Sequence, residues 1–352
     1  MNIASLGWGE SLAETFQPHA DAGLRPGRVA IQHRGAYVLL TEDGEVWAGV
    51  RGRLRHDAGS TSELPAVGDW VAYDHPEGAE RAAVHAILPR RSAFRRKQAG
   101  FETADQVVAA NVDVLFLVTS LNQDLNVRRI ERYMTLAWES GADPVVVLTK
   151  ADLCADVGTA VALVETVTFG VPVVVTSALT GEGFDELRVH LEGGRTAAAV
   201  GSSGVGKSTL INHLCGEERL ATKEIREDGR GRHTTTHREL IVLPGTGCVI
   251  DTPGMRELQL WDSAEGLERA FEDVESLITE CRFSDCAHET EPGCAVRSAI
   301  AEGRIESERF ESYRKLQREL RWLEIRHDAR ARSEERKRWR ALNKEARARA
   351  RP

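Results

Sequence analysis

At 352 residues the chain is long enough for two or three domains, each able to bury a core of its own. Its 41% hydrophobic and 28% charged residues suit an ordinary soluble protein, and no stretch approaches the ~18 uninterrupted apolar residues of a membrane helix. The first twenty residues carry Glu10 and Glu14 and lack the basic start and apolar core of a secretory signal, so the expectation is a cytoplasmic monomer with no membrane partner. The net charge of −8 conceals an asymmetry: residues 303–352 hold 17 Lys/Arg against 9 Asp/Glu, whereas residues 1–302 hold 29 against 45. An acidic body with a basic tail points to an anionic partner for the tail.

Residues 1–24 are set apart as an N-terminal extension. Over 25–103, short apolar runs with turn punctuation predict strands at 28–31, 36–40, 46–50, 70–73 and 82–88, with Asp43-Gly44 marking a tight hairpin between the second and third. Five strands in so short a span predict a small β-barrel, plausibly of the oligonucleotide-binding (OB) type, and the basic run Arg90, Arg91, Arg95, Arg96 and Lys97 comes directly after it. Such a barrel serves protein partners or nucleic acid, and the composition leaves both open.

Over 104–275 the pattern changes to near-continuous apolar strands alternating with amphipathic helices: strands at 112–118, 144–148, 171–175 and 247–250, and helices at 127–139 and 264–280. That alternation indicates a parallel sheet covered on both faces. The motif Gly201-Ser202-Ser203-Gly204-Val205-Gly206-Lys207-Ser208 comes after the apolar 197–200 and opens a helix at Thr209, the strand, loop and helix context of a phosphate-binding loop. Its backbone amides can surround phosphate oxygens, Lys207 can neutralise the β and γ phosphates, and Ser208 can ligate Mg²⁺. Forty-three residues after Ser208, Asp251 ends a buried strand where it can hold Mg²⁺ through water, and the Gly254 amide can meet the γ-phosphate. Between them, residues 230–237 form a polar, glycine-punctuated segment suited to a switch, with Thr235 expected to reach Mg²⁺ and the γ-phosphate.

Upstream of this loop, Thr149-Lys150-Ala151-Asp152 ends the 144–148 strand. Asp152 can accept two hydrogen bonds from guanine N1 and N2, a pairing that adenine cannot offer, and Lys150 would lie along the base. Thr149 stands where most GTPases carry Asn, so weaker polar anchoring is expected there. Ser177-Ala178 suits the remaining guanine contact, with the Ala178 amide facing the base oxygen. GTP or GDP with Mg²⁺ is therefore the expected ligand, and the motif order, with the base-reading residues ahead of the phosphate loop, is that of a circularly permuted GTPase.

Within 276–352, Cys281, Cys286, His288 and Cys294 supply three thiolates and an imidazole inside fourteen residues, the donor set of a closed structural zinc site, with Glu291-Pro292-Gly293 as the returning turn. A charged helical tail runs from 305 to the end, with Trp322 and Trp339 among its arginines. The whole is thus a multidomain chain: an OB-like barrel, a permuted α/β P-loop GTPase domain, and a C-terminal zinc-binding helical domain. The scattered Cys154, Cys215 and Cys248 read as core residues.

With 65–69 (Pro-Ala-Val-Gly-Asp), 88–92 (Leu-Pro-Arg-Arg-Ser), 109–113 (Ala-Ala-Asn-Val-Asp), 231–237 and 251–258 added, the chain resembles the bacterial small ribosomal subunit biogenesis GTPases from about residue 25 to 325. The resemblance implies GTP hydrolysis late in 30S maturation, binding to 16S rRNA, stimulation by the small subunit, and an interplay with other assembly factors. Met255 stands where Ras-like proteins place the water-orienting glutamine, and its thioether is a poor hydrogen-bond partner, so the resemblance passes that role to His233. A low-turnover regulatory switch with a protein partner is the alternative that Met255 leaves standing.

Overall fold

The computed structural model describes residues 2–33, 35–97, 105–122, 125–217, 238–251 and 264–321. They belong to two compact units, Met1–Gln259 and Leu260–Pro352. No helix among the described residues is long and apolar enough to cross a membrane.

The chain begins with a short turn of helix at Ile3–Leu6 and a helix α1 (Glu10–Asp21), whose Leu12 and Phe16 are buried. Trp8, between them, meets Phe16 and Trp70 edge-on at 5.6 and 4.8 Å between ring centres. Next come five strands, β1 (Arg25–Gln32), β2 (Tyr37–Thr41), β3 (Gly44–Val50), β4 (Trp70–Asp74) and β5 (Ala82–Ile87), with a helix α2 (Gly52–Asp57) after β3. Val29, Tyr37, Leu39, Ala48, Val71, Tyr73 and Val84 point inward and form one core. Pairing runs β1–β2–β3–β5–β4 and returns to β1, so the sheet closes on itself as a five-stranded barrel.

A hairpin of β6 (Ala93–Lys97) and β7 (Asp105–Ala110) leads out of the barrel. At this joint Arg28, 1% exposed, donates to three carbonyls from three separate segments: Leu6, Gly68 and Asn111. Its guanidinium also lies over the Trp70 ring, and burial pulls its pKa below the ordinary arginine value. Gly68 packs so tightly that a Cβ there would sit 2.1 Å from the Ala110 carbonyl oxygen. Beside it, Arg90 grips the fully buried Asp69 with two bonds of 2.8 and 2.7 Å, and Arg91 pairs with Asp113 at 3.2 Å. The segments 65–69, 88–92 and 109–113 therefore meet in one place and lock the barrel to the α/β half of the unit.

That half alternates strand and helix: β8 (Val114–Ser120), α3 (Val127–Ser140), β9 (Asp143–Thr149), α4 (Val157–Glu165), β10 (Val173–Val175), α5 (Phe184–Val189), β11 (Thr196–Val200), α6 (Lys207–Cys215), β12 (Glu239–Val242) and β13 (Cys248–Asp251). Every residue of β8 and β11 is buried, as strands covered on both faces must be. In space the order is β10-β9-β8-β11-β13-β12, parallel except for β12, and β12 continues the sheet into β1 through Ile31 and Glu239. The chain builds outward from β8 through β9 to β10, then returns to lay β11 on the other side of β8. Such a switch of direction opens a crevice at the carboxyl ends of the two strands, where ligands of doubly wound sheets bind.

In Leu260–Pro352, helices α7 (Ala264–Ala270), α8 (Glu272–Thr279) and α9 (Ala295–Ala301) precede α10, over 307–321. Phe271, Val274, Val296, Ala299, Phe310 and Tyr313 are buried. Arg309 holds α10 to α8 with two 2.6 Å bonds to Asp273, its charge resting over Phe271 at 4.7 Å. The tail beyond 321 lies outside the described residues.

Candidate nucleotide site and metal centre

The phosphate loop runs from the end of β11 to the start of α6. Gly201 is required by space: a Cβ would lie 2.1 Å from the Val118 carbonyl oxygen on β8. Gly206 is required by conformation, since it caps α6 at φ +98, a region that L side chains avoid. Ser202, Ser203 and Gly204 form the rim, Val205 is buried beneath it, and Ser208 and Thr209 stand in the first turn of α6, whose amides face the loop. Lys207 Nζ donates to the carbonyls of Gly201 and Ser202 at 2.9 and 2.6 Å, which keeps the ammonium at the mouth of the loop.

Thr149 and Lys150 come from the end of β9, two strands away, and both touch this loop. Thr149 Oγ1 donates to the Val205 carbonyl at 2.6 Å, and Lys150 Nζ donates to the Gly204 carbonyl at 2.7 Å. Thr149 is thus tied to the loop through its single hydroxyl. Lys150 takes left-handed backbone (φ +59), a turn that aims its stem across the loop. Asp152 is exposed, and Ser177, buried after β10, donates its hydroxyl to Asp152 Oδ1 at 2.6 Å, fixing the carboxylate. Ala178 comes next on the exposed rim. The residues from 149–152, 177–178 and 201–209 therefore share one crevice although their order in the chain is reversed.

Asp251 ends β13 on the other side of β11. Its Oδ2 is buried without a hydrogen-bond partner among the described residues. Burial pushes its pKa up to about 6, opposed by Lys207 and assisted by Glu239. An orphaned carboxylate oxygen beside the phosphate-loop lysine, with the Ser208 hydroxyl in the adjoining helix, is a donor set suited to a hard divalent cation such as Mg²⁺. His233, Thr235, Gly254 and Met255 lie outside the described residues.

In the second unit, Cys281 stands just after α8, Cys286 and His288 occupy the next loop, and Cys294 caps α9 by accepting from the Arg297 amide. One donor atom from each lies within 4.8 Å of all the others, and His288 Nδ1 is 3.5 and 3.4 Å from the sulfurs of Cys281 and Cys294. Tetrahedral zinc with bonds of about 2.0–2.3 Å needs donors roughly 3.3–3.8 Å apart; the two His288 distances match this, and three thiolates with one imidazole are a donor set suited to zinc. The sequence names Glu291 only as part of the returning turn; its side chain also organises the loop. Glu291 accepts from the amides of Ala287, Glu289 and Thr290, and its own amide and these neighbours hold its carboxylate down at about 2. That loop carries His288 at φ +58. The visible signal was an acidic side chain inside the Cys/His spacing.

A family model described as RsgA GTPase matches residues 87–261. The small ribosomal subunit biogenesis GTPase RsgA of Opitutus terrae is 49% identical over 93% of this chain and 92% of its own length, and that of Streptomyces coelicolor is 48% identical over 95% and 91%. Among solved structures, YjeQ from Thermotoga maritima aligns at a TM-score of 0.65 with 30% identity, covering 84% of this chain and 98% of its own. YloQ, a circularly permuted GTPase, aligns at 0.62 with 23% identity over 85% and 95%, a likeness of fold. A barrel ahead of a permuted nucleotide crevice, a three-thiolate, one-imidazole cluster, and relatives matched nearly end to end lead to one assignment: the chain belongs to the RsgA family of small ribosomal subunit biogenesis GTPases.

Proposed function

We propose that this GTPase acts late in maturation of the 30S subunit, binding 16S rRNA and hydrolysing GTP fastest when docked on the small subunit. The observation that supports the nucleotide reading is the pair of hydrogen bonds from Thr149 and Lys150 to consecutive carbonyls of the phosphate loop, which sets the proposed base-reading segment beside that loop.

In this reading Asp152, steadied by Ser177, accepts guanine N1–H and N2–H, Lys150 lies along the base, and the Ala178 amide meets the base oxygen. The amides of 201–209 surround the phosphates while Lys207 balances their charge. Ser208, Asp251 and Thr235 would hold Mg²⁺, which supplies charge neutralisation at the β and γ oxygens. The Gly254 amide meets the γ-phosphate, and His233 orients the attacking water. Cys281, Cys286, His288 and Cys294 would hold one structural zinc with no open position for chemistry. The proposed domains are an extension at 1–24, the barrel at 25–103, the permuted GTPase domain at 104–275, and the zinc domain with its basic tail at 276–352, which adds rRNA contacts.

Turnover measured with purified 30S and 50S subunits tests this: 30S is expected to stimulate severalfold and 50S not. No stimulation by either would favour the low-turnover switch with a protein partner. A His233→Ala variant is expected to keep nucleotide affinity and lose the stimulated rate; full stimulated turnover would move water positioning to another group.

A further inference from the structure

The loop assigned to the base is braced from a side that the guanine contacts do not use. Residues 177–183 run from β10 to the start of α5 and fold on themselves: the Gly181 amide donates to the Ser177 carbonyl at 2.8 Å, and the Ser177 amide to the Glu182 carbonyl at 3.2 Å. Ala178, Leu179 and Thr180 at the tip are exposed. Gly183 turns the chain into α5 at φ +78, where a Cβ would lie 1.9 Å from the Val175 carbonyl oxygen. Phe184, buried just after it, is thereby set against His213 of α6, ring centres 3.7 Å apart and planes 24° apart. The same imidazole reaches the loop, its Cε1 being 4.0 Å from where a Cβ on Gly181 would stand. Arg188 of α5 completes the tie by donating to the His213 and Leu214 carbonyls at 3.4 and 2.9 Å, at the carboxyl end of α6.

We propose that His213 is a positioning residue for guanine: its ring, stacked on Phe184 and abutting Gly181, holds the loop of Ser177 and Ala178 to the helix that begins with Lys207 and Ser208. The inference rests on the guanine reading proposed above and adds what sets the spacing between base contacts and phosphate contacts. Ser177 is tied to Asp152, but that bond fixes only the first residue of an otherwise exposed loop. The core beneath is filled by Phe184, Leu187, Leu210 and Leu214, and His213 is half-buried at its edge, next to the loop. Because α6 is one rigid element, a flat contact near its carboxyl end fixes the loop relative to the phosphate-binding residues at its amino end.

Competition of GDP and of ADP against a fluorescent guanine nucleotide tests this, beside steady-state hydrolysis with 30S subunits. His213→Ala should lower GDP affinity roughly fivefold, the scale of one aromatic pair, and hardly change ADP affinity, so the preference for guanine falls by the same factor. KM for GTP should rise accordingly with kcat unchanged. His213→Leu fills the space without a flat face and should behave as the alanine variant, whereas His213→Phe restores the stack and should recover most of the preference. The leucine variant keeps the packing volume, so it carries the test should the alanine variant fail to fold. Wild-type preference in the alanine and leucine variants overturns the proposal. So does an equal loss of GDP and ADP affinity, or a fall in kcat, either of which would make the stack a support of the phosphate loop alone. A wild-type protein that does not prefer GDP to ADP overturns the guanine reading, and this proposal with it.

Discussion

At the scale of single residues, Thr149 shows how one hydroxyl serves where an amide is usual. It has a single donor and uses it on the Val205 carbonyl, so the end of β9 holds the phosphate loop in shape. Thr149→Val removes the donor and strands a buried acceptor, a loss of about 1–3 kcal/mol, and is expected to weaken GDP and GTP binding roughly tenfold, whereas Thr149→Asn retains affinity. Titration with a fluorescent guanine nucleotide reads this directly. Asp251 gives a pH dependence. Its pKa is raised from 3.8 to about 6, so its contribution to the stability of the nucleotide-free protein is full below 3.8 and is lost as pH rises through about 6. Mg²⁺ binding needs the carboxylate, so the Mg²⁺-dependent part of nucleotide affinity should fall as pH drops below about 6. Asp251→Asn should flatten that fall; an unchanged profile would remove Asp251 from the cation site.

At the scale of elements, the barrel strands and the parallel strands were legible because each apolar run is bounded by turn residues and buried on one or both faces. The joint between them was not. In the sequence Arg90 and Arg91 look like the start of a basic surface, and nothing local reveals that Arg90 reaches Asp69, 21 residues back, inside the protein. Nor does it reveal that Arg28 gathers carbonyls from residues 6, 68 and 111. These are bonds between distant segments, and periodicity carries no record of them. Arg90→Ala would leave the Asp69 charge buried and unpaired, and a destabilisation of about 3–5 kcal/mol is expected in chemical denaturation of the nucleotide-free protein. The double variant with Asp69→Ala should recover part of it.

At the scale of the whole molecule, two compact units imply two separable stabilities. The cluster of Cys281, Cys286, His288 and Cys294 stands in a unit of few helices, whose folding should depend on its metal. A strong chelator is expected to make Leu260–Pro352 protease-sensitive while Met1–Gln259 still binds GDP; equal resistance with and without chelator would remove the structural metal. Taken alone, the sequence determined the local patterns: the phosphate-loop motif, the proposed guanine-reading segment and the Cys/His cluster each fall within a short stretch whose residue types and spacing carry the signal. Only the tertiary structure decided how the pieces meet. Laying β11 back beside β8 brings residues 149–152 against 201–209 in one crevice, and continuing β12 into β1 joins the barrel to the nucleotide sheet. Both depend on strand pairing between segments far apart in the chain, a long-range choice made by burial and backbone hydrogen bonding rather than by any local run of residues.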